Sequence, residues 1–384
     1  MAPSSRPSRR TGSSMERRTV RHFDYGLLLL ATALVAYGGL LIYSASLTAY
    51  PDGIAGLDHP LAKQVLFAVL GLAVMAAIAW ADYRVFGQMA PALYALSIVT
   101  LVAVLFMGES AFGSRRWITI AGTQVQASEV AKILTIVALA RYLADRQLQI
   151  TRVRTFLTSL ALAVLPAALV MAEPDMGTAV IFGAIWVGMV LVAGARPQHV
   201  LMLGGFLLAA IPFAALAVLG EYQRDRIALF FNPNSDPLGG GFNILQAEIS
   251  VGSGGVFGKG LTEGSQTQLD FLQTPTTDYI FSVLGEELGL IGAVVLLTLF
   301  AALLFRTLRV ASMARDQFGR LLATGIAIMV LFQVFINIAV NIRLLPVTGI
   351  PLPFISQGGS SLIMLFAALG LLQSVLLRHR QIEF

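Results

Sequence analysis

Residues 25–45 read Tyr25-Gly26-Leu27-Leu28-Leu29-Leu30-Ala31-Thr32-Ala33-Leu34-Val35-Ala36-Tyr37-Gly38-Gly39-Leu40-Leu41-Ile42-Tyr43-Ser44-Ala45, without one Asp, Glu, Lys or Arg. A hydrocarbon core about 30 Å thick needs roughly 20 such residues per crossing helix. In lipid the backbone must close its own hydrogen bonds, which a helix does within one segment. Working outward, comparable runs recur near 62–80, 88–107, 127–144, 156–172, 177–194, 199–219, 279–305, 321–342 and 355–377. The whole chain agrees: 384 residues are 57% hydrophobic and 12% charged, with mean hydropathy +0.78, whereas a soluble domain is about a quarter charged. The expected fold class is all-α, a polytopic membrane protein with about ten transmembrane helices.

Charge sets the expected orientation. If the N-terminus lies inside, the leader arginines (Arg6, Arg9, Arg10, Arg17, Arg18, Arg21) share the cytoplasmic side with Arg84, Arg146, Arg152, Arg154, Arg196, Arg306, Arg309, Arg315, Arg320, Arg378 and Arg380. That places about 18 basic residues inside against about 7 outside, the positive-inside bias of a correct topology. Both termini are therefore expected to be cytoplasmic. The net charge of +5 then reflects loops gripping anionic headgroups, with no nucleic acid as partner. Residues 1–22, rich in Ser, Pro and Arg, read as a disordered basic leader, and 23–384 as a single transmembrane domain. A secretory signal is the competing reading, since a basic stretch precedes an apolar run ending in Ser44-Ala45-Ser46. The run is longer than a signal core, which favours an uncleaved first helix. With no cysteine and four scattered histidines, disulfides, thiol chemistry and zinc are excluded.

One extracytoplasmic loop, about 220–278, is far longer than the rest. Its apolar residues, among them Phe242, Ile249, Phe257 and Leu272, predict short helices lying back on the membrane. Ionisable groups within spans cost roughly 2.5 to 3.5 kcal/mol and need a partner or a purpose. Glu129 and Lys132 stand at i and i+3 on one helix face, either a neutralised packing pair or, with Arg115 and Arg116 just outside, a cationic pocket suited to a pyrophosphate. Asp175, between spans five and six, caps the sixth helix or contacts substrate or a cation. The turn Gly252-Ser253-Gly254-Gly255-Val256-Phe257-Gly258-Lys259-Gly260 is a weak signal. It lacks the ending of a nucleotide loop, but its backbone could approach a headgroup. Thr277-Asp278 lies where the loop meets the eighth span. Asp278 is either a helix cap or a partly desolvated carboxylate with its pKa raised toward that of a general base. The stretch 345–361, dense in Pro and Gly and containing Ser356 and Ser360, should wall a pocket, because irregular backbone at membrane depth survives only inside protein.

These motifs resemble, over nearly the whole chain, the SEDS family (shape, elongation, division and sporulation). The match runs in order through Ser128-Glu129-Val130-Ala131-Lys132, Pro174-Asp175-Met176-Gly177-Thr178, Gln246 leading into Gly252-Ser253-Gly254-Gly255, Gly258-Lys259-Gly260, Thr277-Asp278 followed by Gly285-Glu286-Glu287-Leu288-Gly289, and the 345–361 segment. Gln266-Thr267-Gln268-Leu269-Asp270-Phe271-Leu272 is more similar to the elongation members. Departures are Ala127 for a usual Pro, Thr276 for His, Gln357 for Tyr and Arg343 for Gly. The resemblance implies a peptidoglycan glycosyltransferase of the bacterial cytoplasmic membrane that polymerises lipid II and works with a class B penicillin-binding protein in the elongation machinery. It further implies Asp278 as catalytic base. Arg115, Arg116, Lys132 and Lys259 would contact the diphosphate, with Glu129, Asp175, Gln246, Thr277, Ser356 and Ser360 completing the substrate site. A divalent cation, magnesium or manganese, is a conceivable helper. A lipid II flippase and a non-catalytic activator of the penicillin-binding protein are the alternatives.

Overall fold

The computed structural model describes residues 23–378 except 52, 55, 57, 112, 113, 121, 122, 218, 219, 237 and 238; the expected leader lies outside the described residues. A helix occupies each of the ten expected places: α1 Tyr25–Ser46, α2 Pro60–Trp80, α4 Ala90–Met107, α5 Ala127–Asp145, α6 Val153–Ala172, α7 Met176–Val192, α8 Pro197–Ala217, α12 Ile280–Met313, α13 Gln317–Asn341 and α14 Gly359–Leu377. Among the described residues, seven of these are long and apolar enough to cross a membrane. α7 is apolar but shorter, and α5 carries Glu129, Lys132, Arg141 and Asp145. Short α3, Tyr83–Gln88, precedes α4.

The all-α expectation needs one correction. Between α4 and α5 the chain forms an antiparallel sheet of three strands, β1 Glu109–Ala111, β2 Ser114–Ile120 and β3 Thr123–Gln126, in the order β1-β2-β3. Outside the hydrocarbon a connection has no need to be helical. The Thr-Ile…Thr-Gln-Val-Gln pattern around Ala121-Gly122 also suits a hairpin.

The long loop does contain short helices: α9 Glu221–Phe231, α10 Gly240–Ser253 and α11 Ser265–Gln268. α10 buries Gly241, Ile244, Ala247 and Ser250, spaced at three residues as a single helix face requires.

The first helix is tied to α12 and to the last helix at one end of the bundle. Asp24 caps α1 by accepting from Gly26 N at 2.8 Å and is ion-paired to Arg306 of α12 at 2.7 Å. The Gln373 amide of α14 bonds both the N–H and the C=O of Asp24.

α12 is broken at Gly289, whose φ of 62° and ψ of −159° are not helical. The glycine-rich turn fills the break. Lys259 N and Gly260 N donate to the carbonyls of Glu286 and Glu287, and Leu290 N and Ile291 N donate to Gly255 and Val256. The backbones approach so closely that a Cβ on Gly254 or Gly258 would strike the carbonyls of Gly285 or Glu287. The close approach expected of this turn is thus made to the interrupted helix. Gly258→Ala, which must also adopt φ of 80°, should cost at least about 1–3 kcal/mol, read as a lowered thermal midpoint of the purified protein.

Candidate active site

The site is assembled where β2, the α6–α7 connection, α9, α13 and the 345–361 segment converge on the turn before α12. Asp278 sits in that turn, half-buried. Its backbone is clamped from α13: Asn341 Nδ2 donates to the Asp278 carbonyl at 2.9 Å and Asn337 Nδ2 at 3.2 Å, while Asn337 also donates to Ile350 O at 2.8 Å. Asn341 Oδ1 accepts from Ser282 N and Oγ. One residue earlier, the Thr277 carbonyl accepts from Ser356 Oγ at 2.6 Å, and that oxygen accepts in turn from Leu352 N at 2.8 Å. Ser356 therefore acts as a staple between the Pro/Gly-rich segment and the turn, which is how that segment walls the site. Thr276 Oγ1 meets Gln357 Oε1 at 3.0 Å, and Gln357 N donates to Thr276 O at 2.9 Å. Two positions at which the chain departs from the family pattern are thus each other's partners.

With its carbonyl held, Asp278 can turn its carboxyl toward positive charge. A Cβ added to Gly349, whose φ is 73°, would meet Arg116 Nη1 at 3.2 Å and Asp278 Oδ2 at 3.7 Å, so guanidinium and carboxylate border the same wall. Burial raises the Asp278 pKa above the ordinary carboxylate range; Arg226 first and Arg116 second oppose the rise, and Asp175 adds to it. Arg226, on α9, donates to Val347 O at 3.0 Å.

Arg116 is 4% exposed. It donates through Nη2 to Pro174 O and lies 3.8 Å from Asp175 Oδ1 through Nη1. Asp175 does cap α7, accepting from Thr178 N at 3.1 Å and Thr178 Oγ1 at 2.9 Å, and it faces the arginine as well. Gln126 links this group to the last helix: its side chain reaches Asp175 Oδ2 at 3.4 Å and its N–H donates to Ser360 Oγ at 3.2 Å. Close below, on α5, Lys132 and Glu129 form a fully buried ion pair at 2.7 Å.

Not every candidate is gathered here. Lys259 Nζ is held by Glu286 Oε1 at 2.7 Å and Ser265 Oγ at 2.8 Å; its charge is matched beside the helix break. Gln246 is half-buried on α10, and the side chain of Arg115, on β2, lies outside the described residues. Four residues join the site that the sequence did not single out: Arg226, Asn337, Asn341 and Glu173. The asparagines carried a signal, two amides at i and i+4 in an apolar span. The course of α9, which brings Arg226 in, carried none.

Glu173 is 1% exposed, and neither carboxyl oxygen has a hydrogen-bond partner among the described residues. Burial, and next the neighbouring Asp175, push its pKa up to about 8, with Arg116 opposing. The folded protein keeps this proton up to that pH, whereas the unfolded chain releases it near 4.5. The stabilisation is complete below the lower value and is lost as pH rises to the higher one. The thermal midpoint of Glu173→Gln should therefore fall less than that of the parent between pH 5 and about 8.

Among the described residues no cluster of three or more His, Asp or Glu could hold a metal ion. Asp175 is instead matched by the Arg116 guanidinium.

A bundle of apolar helices that sets the Asp278 carboxyl near Arg116 and Arg226 defines a class, a multi-pass membrane protein with a charged site at the end of its helices. The family model described as cell cycle protein, of the FtsW, RodA and SpoVE type, matches residues 25–381, and the chain belongs to that family. It is 36% identical over 355 residues to the peptidoglycan glycosyltransferase MrdB of Escherichia coli, covering 92% of this chain and 93% of that one. To the stage V sporulation protein E of Bacillus subtilis it is 38% identical over 356 residues, covering 92% and 96%. Among solved structures, the rod shape determining protein RodA of Thermus thermophilus is similar at TM-score 0.68 and 32% identity, with 93% and 96% covered. A chain from a structure titled for coordination of polymerization and crosslinking by a peptidoglycan synthase complex is similar at TM-score 0.78 and 32% identity, with 94% and 99% covered.

Proposed function

We infer that the protein is a peptidoglycan glycosyltransferase of the bacterial cytoplasmic membrane that polymerises lipid II, with Asp278 as its base. The observation that carries this is the Asp278 carboxyl, raised in pKa by burial and sharing the Gly349 wall with Arg116. The reaction joins an acceptor sugar hydroxyl to the anomeric carbon of a donor sugar and breaks that carbon's bond to a lipid-linked diphosphate. Asp278 takes the hydroxyl proton as the new bond forms. The diphosphate leaves with the electron pair, and Arg116 and Arg226 stabilise its charge. A pyrophosphate is already a good leaving group, so the paired carboxylates of a glycosidase are not needed. Among the described residues the groups that face the leaving diphosphate are guanidinium rather than a cluster of acids.

An apolar groove of about 530 Å³, lined by α1, α2 and Phe366, would take the prenyl chain. Its wall includes Gln64, which donates to Ser356 O at 3.4 Å, two hydrogen bonds from the turn that bears Asp278. We place the site on the outer face, with both termini cytoplasmic and ten crossings, because that arrangement satisfies the charge bias of the loops. A class B penicillin-binding protein is the proposed partner and elongation the proposed setting, supported by the likeness to the rod-shape protein and to the synthase complex.

The test is polymerisation of purified lipid II by the protein with its partner, read as glycan strands on a gel. Strands that depend on this chain support the reading. An inactive preparation that instead moves dye-labelled lipid II across liposomes would replace it with the flippase.

A further inference from the structure

At the end of α5 away from Glu129, about 28 Å along a helix of this length, the connection to α6 forms an open surface cavity of about 340 Å³ lined by Tyr142, Arg146, Gln149, Arg152, Arg154 and two threonines, its arginines exposed. Three of the lining residues are arginine and none is acidic. The nearest acid in sequence, Asp145, is taken by Arg141 at 3.0 Å. Among the described residues none of the three arginines is ion-paired.

The site is built rather than incidental. The Arg146 guanidinium lies 4.2 Å from the centroid of the Tyr142 ring, which fixes its plane and leaves its N–H edge for a ligand. Arg152 is the N-cap of α6 and Arg154 lies in its first turn. That turn has no side-chain cap and no acidic residue. Cations at the positive end of a helix are electrostatically misplaced unless an anion joins them. The connection itself is anchored by Ile150, which is 4% exposed and packs within the main hydrophobic core.

The occupant's nature follows from what surrounds the cavity. Leu148, at the tip, is 99% exposed, and Val153 and Leu157 on the adjoining helix are more than half exposed. Apolar side chains bared beside three arginines suit the boundary between headgroups and acyl chains, where a basic pocket between transmembrane helices holds a lipid phosphate. A soluble anion would leave those side chains uncovered. We propose that the α5–α6 cavity binds the phosphate of an anionic phospholipid in the leaflet opposite the active site, with its acyl chains along the bared face of α6. The proposal rests on the chain's place in the membrane and not on its catalytic role.

The experiment titrates the purified full chain in neutral detergent with phosphatidylglycerol, phosphatidylcholine or inorganic phosphate, reading thermal midpoint and retained lipid by native mass spectrometry. Phosphatidylglycerol should be retained and raise the midpoint, with the other two without effect. The triple variant Arg146→Gln, Arg152→Gln, Arg154→Gln should bind it at least tenfold more weakly. A triple of other basic positions, Arg309→Gln, Arg315→Gln, Arg320→Gln, should bind as the parent does. Should the first triple fail to fold, the same three positions changed to Lys keep the charge but lose the planar fork, and should bind several-fold more weakly. Unchanged binding by whichever of these two variants folds overturns the proposal. So does equal retention of phosphatidylcholine, or an equal shift from inorganic phosphate alone.

Discussion

Asp278→Asn is expected to lower lipid II polymerisation by about 10²- to 10⁴-fold, the usual contribution of a positioned base. The substitution is close to isosteric. The contacts from Asn337 and Asn341 go to the backbone carbonyl of residue 278, so the turn should keep its place and the thermal midpoint should not fall. The loss is therefore one of rate with the fold intact. A carboxyl must be ionised to serve as the proposed base. Because burial raises its pKa, activity should rise with pH along a limb lying above the ordinary aspartate value of about 3.9. Strands made by the Asn variant at the parental rate would remove Asp278 from the mechanism. If the variant still enhanced crosslinking by the partner, the activator reading would gain.

Arg116→Gln is expected to cost about 10²- to 10³-fold in rate, the scale for removing one preorganised group that meets developing negative charge. It has a second signature. Arg116 is one of two cations that hold the Asp278 pKa down against burial, so its removal should move the acidic limb of the rate profile to higher pH. A purely structural arginine would lower stability without displacing that limb. Arg116→Lys should recover little, since one ammonium cannot both donate to Pro174 O and face Asp175 as the planar fork does. Unchanged rates and an unmoved limb in Arg116→Gln would assign the leaving-group charge elsewhere.

The long apolar helices were legible because lipid makes a simple demand, a run of apolar side chains long enough to cross, which hydropathy records directly. The Glu129–Lys132 pair was legible for a related reason: two charges within one helical turn have only each other at that depth. Other residues could not be assigned from their own surroundings in sequence. Lys259 reads as a headgroup contact within its glycine-rich turn, yet it is held by Glu286 across the helix break. Glu173 reads as part of a tight connection, yet it proves to be a buried acid next to Asp175. Arg226 lies in a stretch with no pattern to mark it.

By itself the sequence determined the solvent of this protein, the place of its long apolar helices, and the acid at the loop–helix junction, since each depends on residues close together in the chain. Which cations face that acid, which amides clamp its backbone and why the glycines are needed were decided by the tertiary structure. Those relations join residues from about thirty to more than two hundred and thirty positions apart, and only packing brings such groups within the few ångströms over which hydrogen bonds and desolvated charges act.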